Sequence, residues 1–305
     1  MPLNRPRLGL CCIFAEQPIA FRKTTAAYIG RQSRKGALDK LSDIAAQNAV
    51  ALRQALEFCR ANGIGSFRIN NEVLPLRTHP QLGYSPLKLR GGKHIVAAFR
   101  EAGAFAAEND LRTLFHPDQY VVLNSPNSAV VENAKSELEH LAELAEWTHA
   151  DVLIVHGGGA YGEKDAALDR LAANIESLPT EVRSRLVIEN DERVFTPADL
   201  LPVCRATGVP FVYDVHHHRC NADGLTVEAA TEAAVATWGD REPLFHISSP
   251  LEGWMGPKPS RHHDYIDLAD FPDCWKGRKV TVEVEAKAKE LAVLRLMGQL
   301  KMVEV

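Results

Sequence analysis

The chain has 305 residues and six cysteines (Cys11, Cys12, Cys59, Cys204, Cys220 and Cys274), scattered and without CxxC spacing. That pattern argues against a disulfide framework, and the vicinal pair Cys11–Cys12 suits a reduced compartment. Long apolar runs are also missing: nothing approaches the roughly 18 to 20 residues of a membrane helix. The opening Met-Pro-Leu-Asn-Arg-Pro-Arg runs straight into a strand-like stretch with no signal-peptide pattern, so a cytoplasmic protein with no membrane partner is expected. The chain lacks a Pro/Gly/Ser-rich linker, an internal repeat and a low-complexity tract, so 1–305 reads as one domain. An excess of one charge is missing too, with a net charge of −4. That balance argues weakly against nucleic acid, but carboxylates gathered around cations would reverse the sign locally. Basic residues do concentrate in two early loops: Arg22, Lys23, Arg31, Arg34 and Lys35, then Arg77, Lys88, Arg90 and Lys93. Such loops either grip a polyanionic backbone or are simply solvated.

What is present is a strand–helix alternation. Eight apolar runs fall near 7–14, 65–70, 111–116, 151–156, 185–190, 210–215, 243–248 and 279–285. Most are continuously apolar, as strands covered on both faces are. Amphipathic segments lie between them, near 42–62, 91–109, 129–149, 164–177, 197–207 and 226–238, with another after 285. Ser42 and Thr196-Pro197 read as helix starts, and Gly63 and Gly208 as helix stops. The expected fold is α/β, a single (β/α)8 TIM barrel whose site lies at the C-terminal face of the strands. An open doubly wound sheet would show the same periodicity. The irregular segment 249–275 reads as a long loop, and long loops in compact domains are usually functional.

Nine residues able to bind divalent metals recur along the chain, most of them where an apolar run gives way to a loop: His79, His116, His156, Glu189, Asp214, His217, His246, His262 and Glu285. A single such histidine reads as an ordinary hydrogen-bonded imidazole; repetition at the same end of most strands reads as convergence. One metal takes three or four protein ligands, so nine can hold two or three ions, and several metals at one face point to phosphate-ester hydrolysis. Imidazole and carboxylate suit Mn²⁺, Zn²⁺ or Fe²⁺, and the absence of cysteine here argues against a structural zinc site. The carboxylates Glu189, Asp214 and Glu285 are the candidate catalytic groups, since a carboxylate can bridge two cations. Asp214-x-x-His217 is compatible with ligands to adjacent metals. Within His216-His217-His218 at most two side chains can face one point, with His217 favoured. Gly157-Gly158-Gly159 lacks a P-loop ending and is expected to let the backbone crowd against the metals.

Longer motifs carry a resemblance. Phe67-Arg68-Ile69, Thr78-His79-Pro80, His116-Pro117-x-Gln119-Tyr120-Val121, the run from His156 to Lys164 (HGGGAYGEK) and Glu189-Asn-Asp-Glu-Arg193 occur in order. Asp214-x-x-His217-His218, His246-Ile-Ser-Ser-Pro250, His262-His-Asp-Tyr-Ile266 and Val284-Glu285-Ala-Lys287 follow. Together they resemble the UV damage endonuclease family over most of the chain. The resemblance implies a TIM barrel related to endonuclease IV that holds up to three ions, manganese first, with zinc, magnesium or cobalt as alternatives. It implies a DNA repair enzyme acting on damaged double-stranded DNA. The nick would fall immediately 5′ to a UV photoproduct, leaving 3′-hydroxyl and 5′-phosphate ends. The nine residues fall on the family's ligand positions, Glu189 as a bridge, and Gln119 and Tyr120 match a pair that probes the lesion.

The chain departs from the family at three places. Leu10 stands where the resemblance implies a tyrosine, Phe14 near an implied asparagine, and Leu244 where some members carry a modified lysine. The ligand set is therefore complete while part of the lesion-reading surface differs. Two rivals remain at this stage: a sugar isomerase or epimerase of the xylose-isomerase-like barrel type, and a non-cleaving damage-recognition protein. A monomer is expected, because duplex DNA needs the open barrel face.

Overall fold

The structure, a computed structural model, describes residues 5–303. Its strands are β1 (Arg7–Cys11), β2 (Ser66–Ile69), β3 (Arg112–Phe115), β4 (Val152–His156), β5 (Leu186–Glu189), β6 (Phe211–Asp214), β7 (Leu244–Ile247) and β8 (Thr281–Val284). All pair in parallel with their sequence neighbours, and β8 returns to β1, so the sheet is a closed barrel. The helices are α1 (Ala26–Ile29), α2 (Arg34–Ala61), α3 (Gly92–Glu108), α4 (Ser128–Thr148) and α5 (Lys164–Glu176). They continue with α6 (Thr180–Arg183), α7 (Pro197–Thr207), α8 (Val215–Cys220), α9 (Val227–Val235) and α10 (Glu290–Val303).

Alternation along each strand explains both cores. Residues facing outward join the helices in one large cluster that includes Leu10, Phe67, Phe115 and Tyr213. A second cluster of Leu114, Val152, Ile154, Val187, Val212, Leu244 and Trp238 fills the barrel interior. Leu114, Ile154, Val187, Val212 and Leu244 each lie two residues before His116, His156, Glu189, Asp214 and His246. Since strand side chains repeat every two residues, the apolar layer supports the polar one directly. The opposite end is sealed by ion pairs: Arg112 donates to both Asp151 carboxylate oxygens (3.0 and 2.9 Å) and to Thr281 Oγ1 (3.1 Å).

Local signals explain the helix ends. At α7, Thr196 accepts from the Asp199 N–H while Asp199 caps in return, with Pro197 in the first turn and Gly208 left-handed at the end. Two expectations are corrected. Ser42 does not begin a helix: Ser33 caps α2 by accepting from Gly36 N–H, and Ser42 lies inside that helix, donating to the Arg90 carbonyl. The early cations are consequently not all loop residues. Arg34 and Lys35 sit in the first turn of α2, where Arg34 donates to the Leu82 and Gly83 carbonyls (3.1 and 2.7 Å). Arg90 pairs with Asp39 and Asp43, and Arg77 with Glu143. These cations tie the β2–α3 connection to α2 and α4.

The triple glycine after β4 is also corrected. A Cβ at Gly157 would meet the Phe195 and Leu200 side chains at 2.8 and 2.9 Å, and one at Gly158 would lie 2.1 Å from Asn124 Oδ1. The crowding is against Phe195, Leu200 and Asn124 and not against the candidate ligands. Gly158 also has φ +87°, as Gly224 has +91° but in open space. Gly224→Ala is expected to lose about 1–2 kcal/mol from the left-handed backbone alone. Gly158→Ala is expected to lose clearly more, because Asn124 Oδ1 holds the Gly159 N–H. Paired denaturant titrations check the difference.

Candidate metal centre

The C-terminal ends of β3 to β8 deliver polar side chains to one point above the apolar interior layer. Glu189, fully buried at the end of β5, is the hub. Its Oε2 lies 2.9 Å from His116 Nε2 and 3.8 Å from His156 Nδ1, while Oε1 lies 2.8 Å from His246 Nδ1 and 3.6 Å from His217 Nδ1. Each oxygen thus faces a different pair of imidazoles, as a carboxylate bridging two cations would. Ligand atoms approach within 4.8 Å in three overlapping groups: His116–His156–Glu189, His116–His246–Glu285, and Glu189–Asp214–His217. The structure therefore gathers seven of the nine expected residues. Asp214 and His217 fall in one group, where their spacing suited adjacent metals.

The remaining two sit differently. His262, partly exposed, brings Nδ1 to 3.8 Å from Glu285 Oε2 at the rim. His79 lies outside the three groups. Its Nδ1 accepts from the Gln81 and Leu82 N–H groups (3.2 and 3.3 Å), leaving Nε2 as the atom it can offer. Of the histidine triplet, His217 joins the cluster. His218 bonds Tyr213 Oη (2.7 Å) and Asp223 Oδ1 (2.9 Å), and His216 packs between Trp254 and His262. The reason is that Asp214 caps α8 by accepting from the His217 N–H (2.7 Å), which sets that short helix and its side-chain directions.

Hydrogen bonds behind the cluster aim it. His116 Nδ1 lies 3.1 Å from the Pro117 carbonyl, so Nε2 is free toward Glu189. Asn190 ties the strand ends together, donating to the Asp214 carbonyl (2.9 Å) and accepting from the Asp214 N–H (3.0 Å). Asp191 holds the following turn by accepting from the Arg193 and Phe195 N–H groups.

Two residues that sequence reasoning missed lie just beneath. Arg68 Nε donates to Glu283 Oε2 (2.7 Å) and its Nη2 donates to Glu285 Oε1 (2.7 Å). The signal was present: Glu283 and Glu285 alternate in an otherwise apolar run, so both face the interior, and Arg68 interrupts an apolar strand. A cavity of about 850 Å³ opens above, lined by His116, His156, His262 and Glu285 and by Lys23, Lys287, Lys289 and Gln119.

The electrostatics fit a cation. Among the described residues, buried Asp214 Oδ2 and His156 Nδ1 have no hydrogen-bond partner, an arrangement that is costly unless something charged completes it. Burial opposes ionisation of Glu189, yet His246 and His156 hold its carboxyl well below the usual range. Burial likewise opposes charge on His217, but Asp214, Glu189 and Glu285 raise its pKa to about 9. In the metal-free protein, protons on His217 and His246 balance part of the acids' charge.

The sequence model of the family described as UV-endonuclease UvdE matches residues 6–305. The chain belongs to this family. A UV DNA damage endonuclease of Deinococcus radiodurans is 34% identical over 312 residues, covering 97% of each chain. The solved structure titled "Crystal Structure of SacUVDE" superposes with a TM-score of 0.86 at 26% identity, covering 98% of this chain and 99% of the other. A D-psicose 3-epimerase from Clostridium cellulolyticum H10 superposes with a TM-score of 0.59 at 13% identity, covering 97% of each, and shows the shared barrel alone.

Of the three departures that the resemblance implies, Leu10 and Phe14 pack outside the barrel and Leu244 lies within it beneath the cluster. Leu10 is fully buried in the outer core. Phe14 packs edge-on against Phe58 at 5.2 Å and stacks on Phe67 at 6.1 Å. Leu244 belongs to the apolar interior layer beneath His246. The positions expected to read damage remain at the surface: Gln119 lines the cavity and Tyr120 is 62% exposed.

The raised His217 pKa sets a pH dependence. Its proton stabilises the metal-free fold fully below the ordinary value of 6.5, and that contribution fades as pH rises through about 9. A cation held by His217 would have to displace the same proton. Apparent Mn²⁺ affinity is therefore expected to rise about tenfold per pH unit between pH 7 and 9, with proton release measurable by calorimetry in buffers of different ionisation enthalpy.

Proposed function

We propose that the chain is a metal-dependent DNA repair endonuclease that nicks one strand immediately 5′ to a UV photoproduct, leaving 3′-hydroxyl and 5′-phosphate ends. The observation that carries this reading is Glu189, one buried carboxylate whose two oxygens face separate pairs of imidazoles. Family membership and the name of the Deinococcus relative support the substrate. Glu189, Asp214 and Glu285, with His116, His156, His217 and His246, would hold two or three divalent ions, manganese first, and His79 and His262 would complete the set from the loops. Bound there, such ions would supply an activated water and neutralise charge on the phosphate.

The chain's own groups do the rest. Glu189, with an oxygen toward each imidazole pair, keeps both halves of the cluster in register. Lys23, Lys287 and Lys289 on the cavity wall supply cations for backbone phosphates. Gln119 and the exposed Tyr120 would occupy the gap that a kinked, unstacked lesion leaves, which damaged DNA opens at lower cost than intact duplex. A monomer acting on duplex DNA fits a site open at one barrel end.

Manganese-loaded protein is expected to relax UV-irradiated supercoiled plasmid, leaving unirradiated plasmid intact, with Glu189→Gln reducing nicking to background. Irradiated plasmid left supercoiled by the loaded wild type would overturn the proposal. Tyr120→Ala is expected to weaken damaged-duplex binding by about 1–3 kcal/mol, roughly five- to 150-fold, with little change on undamaged duplex. Competition binding with the two duplexes checks this.

A further inference from the structure

The imidazole of His246 presents two unlike edges. Nδ1 faces the cluster, 2.8 Å from Glu189 Oε1 and 3.5 Å from Glu285 Oε1. Nε2 faces the barrel interior, 3.2 Å from Glu283 Oε2 and 3.2 Å from Arg68 Nη2. A neutral imidazole carries one proton. When a cation takes the Nδ1 lone pair, that proton sits on Nε2 and requires an acceptor. Arg68 has only N–H donors, so of the two groups at this edge Glu283 alone can accept.

Glu283 is fully buried, and its Oε1 has no hydrogen-bond partner. Such a carboxylate is tolerated only against a fixed opposite charge, which Arg68 supplies through Nε at 2.7 Å. The same guanidinium donates to Glu285 Oε1 at 2.7 Å, so it joins the supporting carboxylate to a candidate ligand. Room for Glu283 comes from small neighbours: Gly9 pairs with both Ser66 and Glu283, and a Cβ at Gly9 would come within 3.4 Å of Glu283 Cγ.

We infer that Glu283 is a positioning residue of the metal centre, holding His246 with Nε2 protonated and Nδ1 turned to the cluster, while Arg68 supplies the balancing charge. This rests on the metal-dependent reading of the site. Carboxylates behind metal-bound histidines fix tautomer and ring orientation, and their loss typically weakens metal binding about 10- to 100-fold. The effect should fall on the group formed by His116, His246 and Glu285.

The test is a Mn²⁺ titration by calorimetry of metal-free wild type, Glu283→Gln and Glu283→Asp. Glu283→Gln is expected to lose about 10- to 100-fold in affinity for one equivalent, with the remaining equivalents as in wild type and an unchanged circular dichroism spectrum. Glu283→Asp, which keeps the charge, should recover part of that loss. Wild-type affinity for every equivalent in Glu283→Gln would overturn the inference, as would equal losses in both variants. A second measurement needs no variant. In Zn²⁺-loaded wild type, ¹⁵N-histidine spectra should place the His246 proton on Nε2, and a proton on Nδ1 would overturn the inference. A wild type that binds no Mn²⁺ would instead overturn the metal reading, and this inference with it.

Discussion

Four carboxylates gather in and just beneath the cluster, with one guanidinium beside two of them. Glu189, Asp214 and Glu283 are fully buried and Glu285 partly so, and the fixed cation Arg68 pairs with Glu283 and Glu285. That imbalance is the constraint on which the rest depends. Burying acids is expensive unless positive charge is brought to them. In the metal-free protein part of it is carried by protons on His246 and His217, whose pKa values the surrounding acids raise against the effect of burial. The cluster in this sense holds more acid than fixed base.

Barrel closure makes such a concentration achievable. Strands β3 to β7 each contribute one polar residue at the C-terminal end and one apolar residue two positions earlier, so a layer of acids and imidazoles rests on a layer of Leu, Ile and Val. Eight strands supply separate backbones, and no single helix or loop could bring so many ligands to one centre. The other end, occupied by Arg112, Asp151 and Thr281, resembles a structural seal, with its charges paired at short range.

The candidate metal cluster and the positions proposed to read damage lie on different parts of the fold. The cluster hangs on strand ends held by Asn190, Asp191 and the Asp214 cap, whereas Gln119 and Tyr120 project from the β3–α4 connection. The substitutions that set this chain apart, Leu10, Phe14 and Leu244, are packed into the two cores. None of the three takes a candidate ligand away from the cluster.

The sequence by itself determined the strand–helix alternation and, through repeated His, Asp and Glu at strand ends, the candidates for one shared face. These are local signals: apolar runs of strand length, caps such as Thr196 and stops such as Gly208. It misjudged what depends on neighbours in space. Ser42 looked like a cap but faces Arg90 across the α2–α3 packing, and the triple glycine after β4 is shaped by Phe195, Leu200 and Asn124. The sequence favoured His217 over His216 and His218, but only tertiary structure brought its imidazole to Glu189 and set His79 apart. It alone revealed Arg68 and Glu283 as partners across 215 positions of sequence. Periodicity tells which side of a strand a residue occupies, but which residues meet there depends on barrel closure and register, and no single segment encodes either.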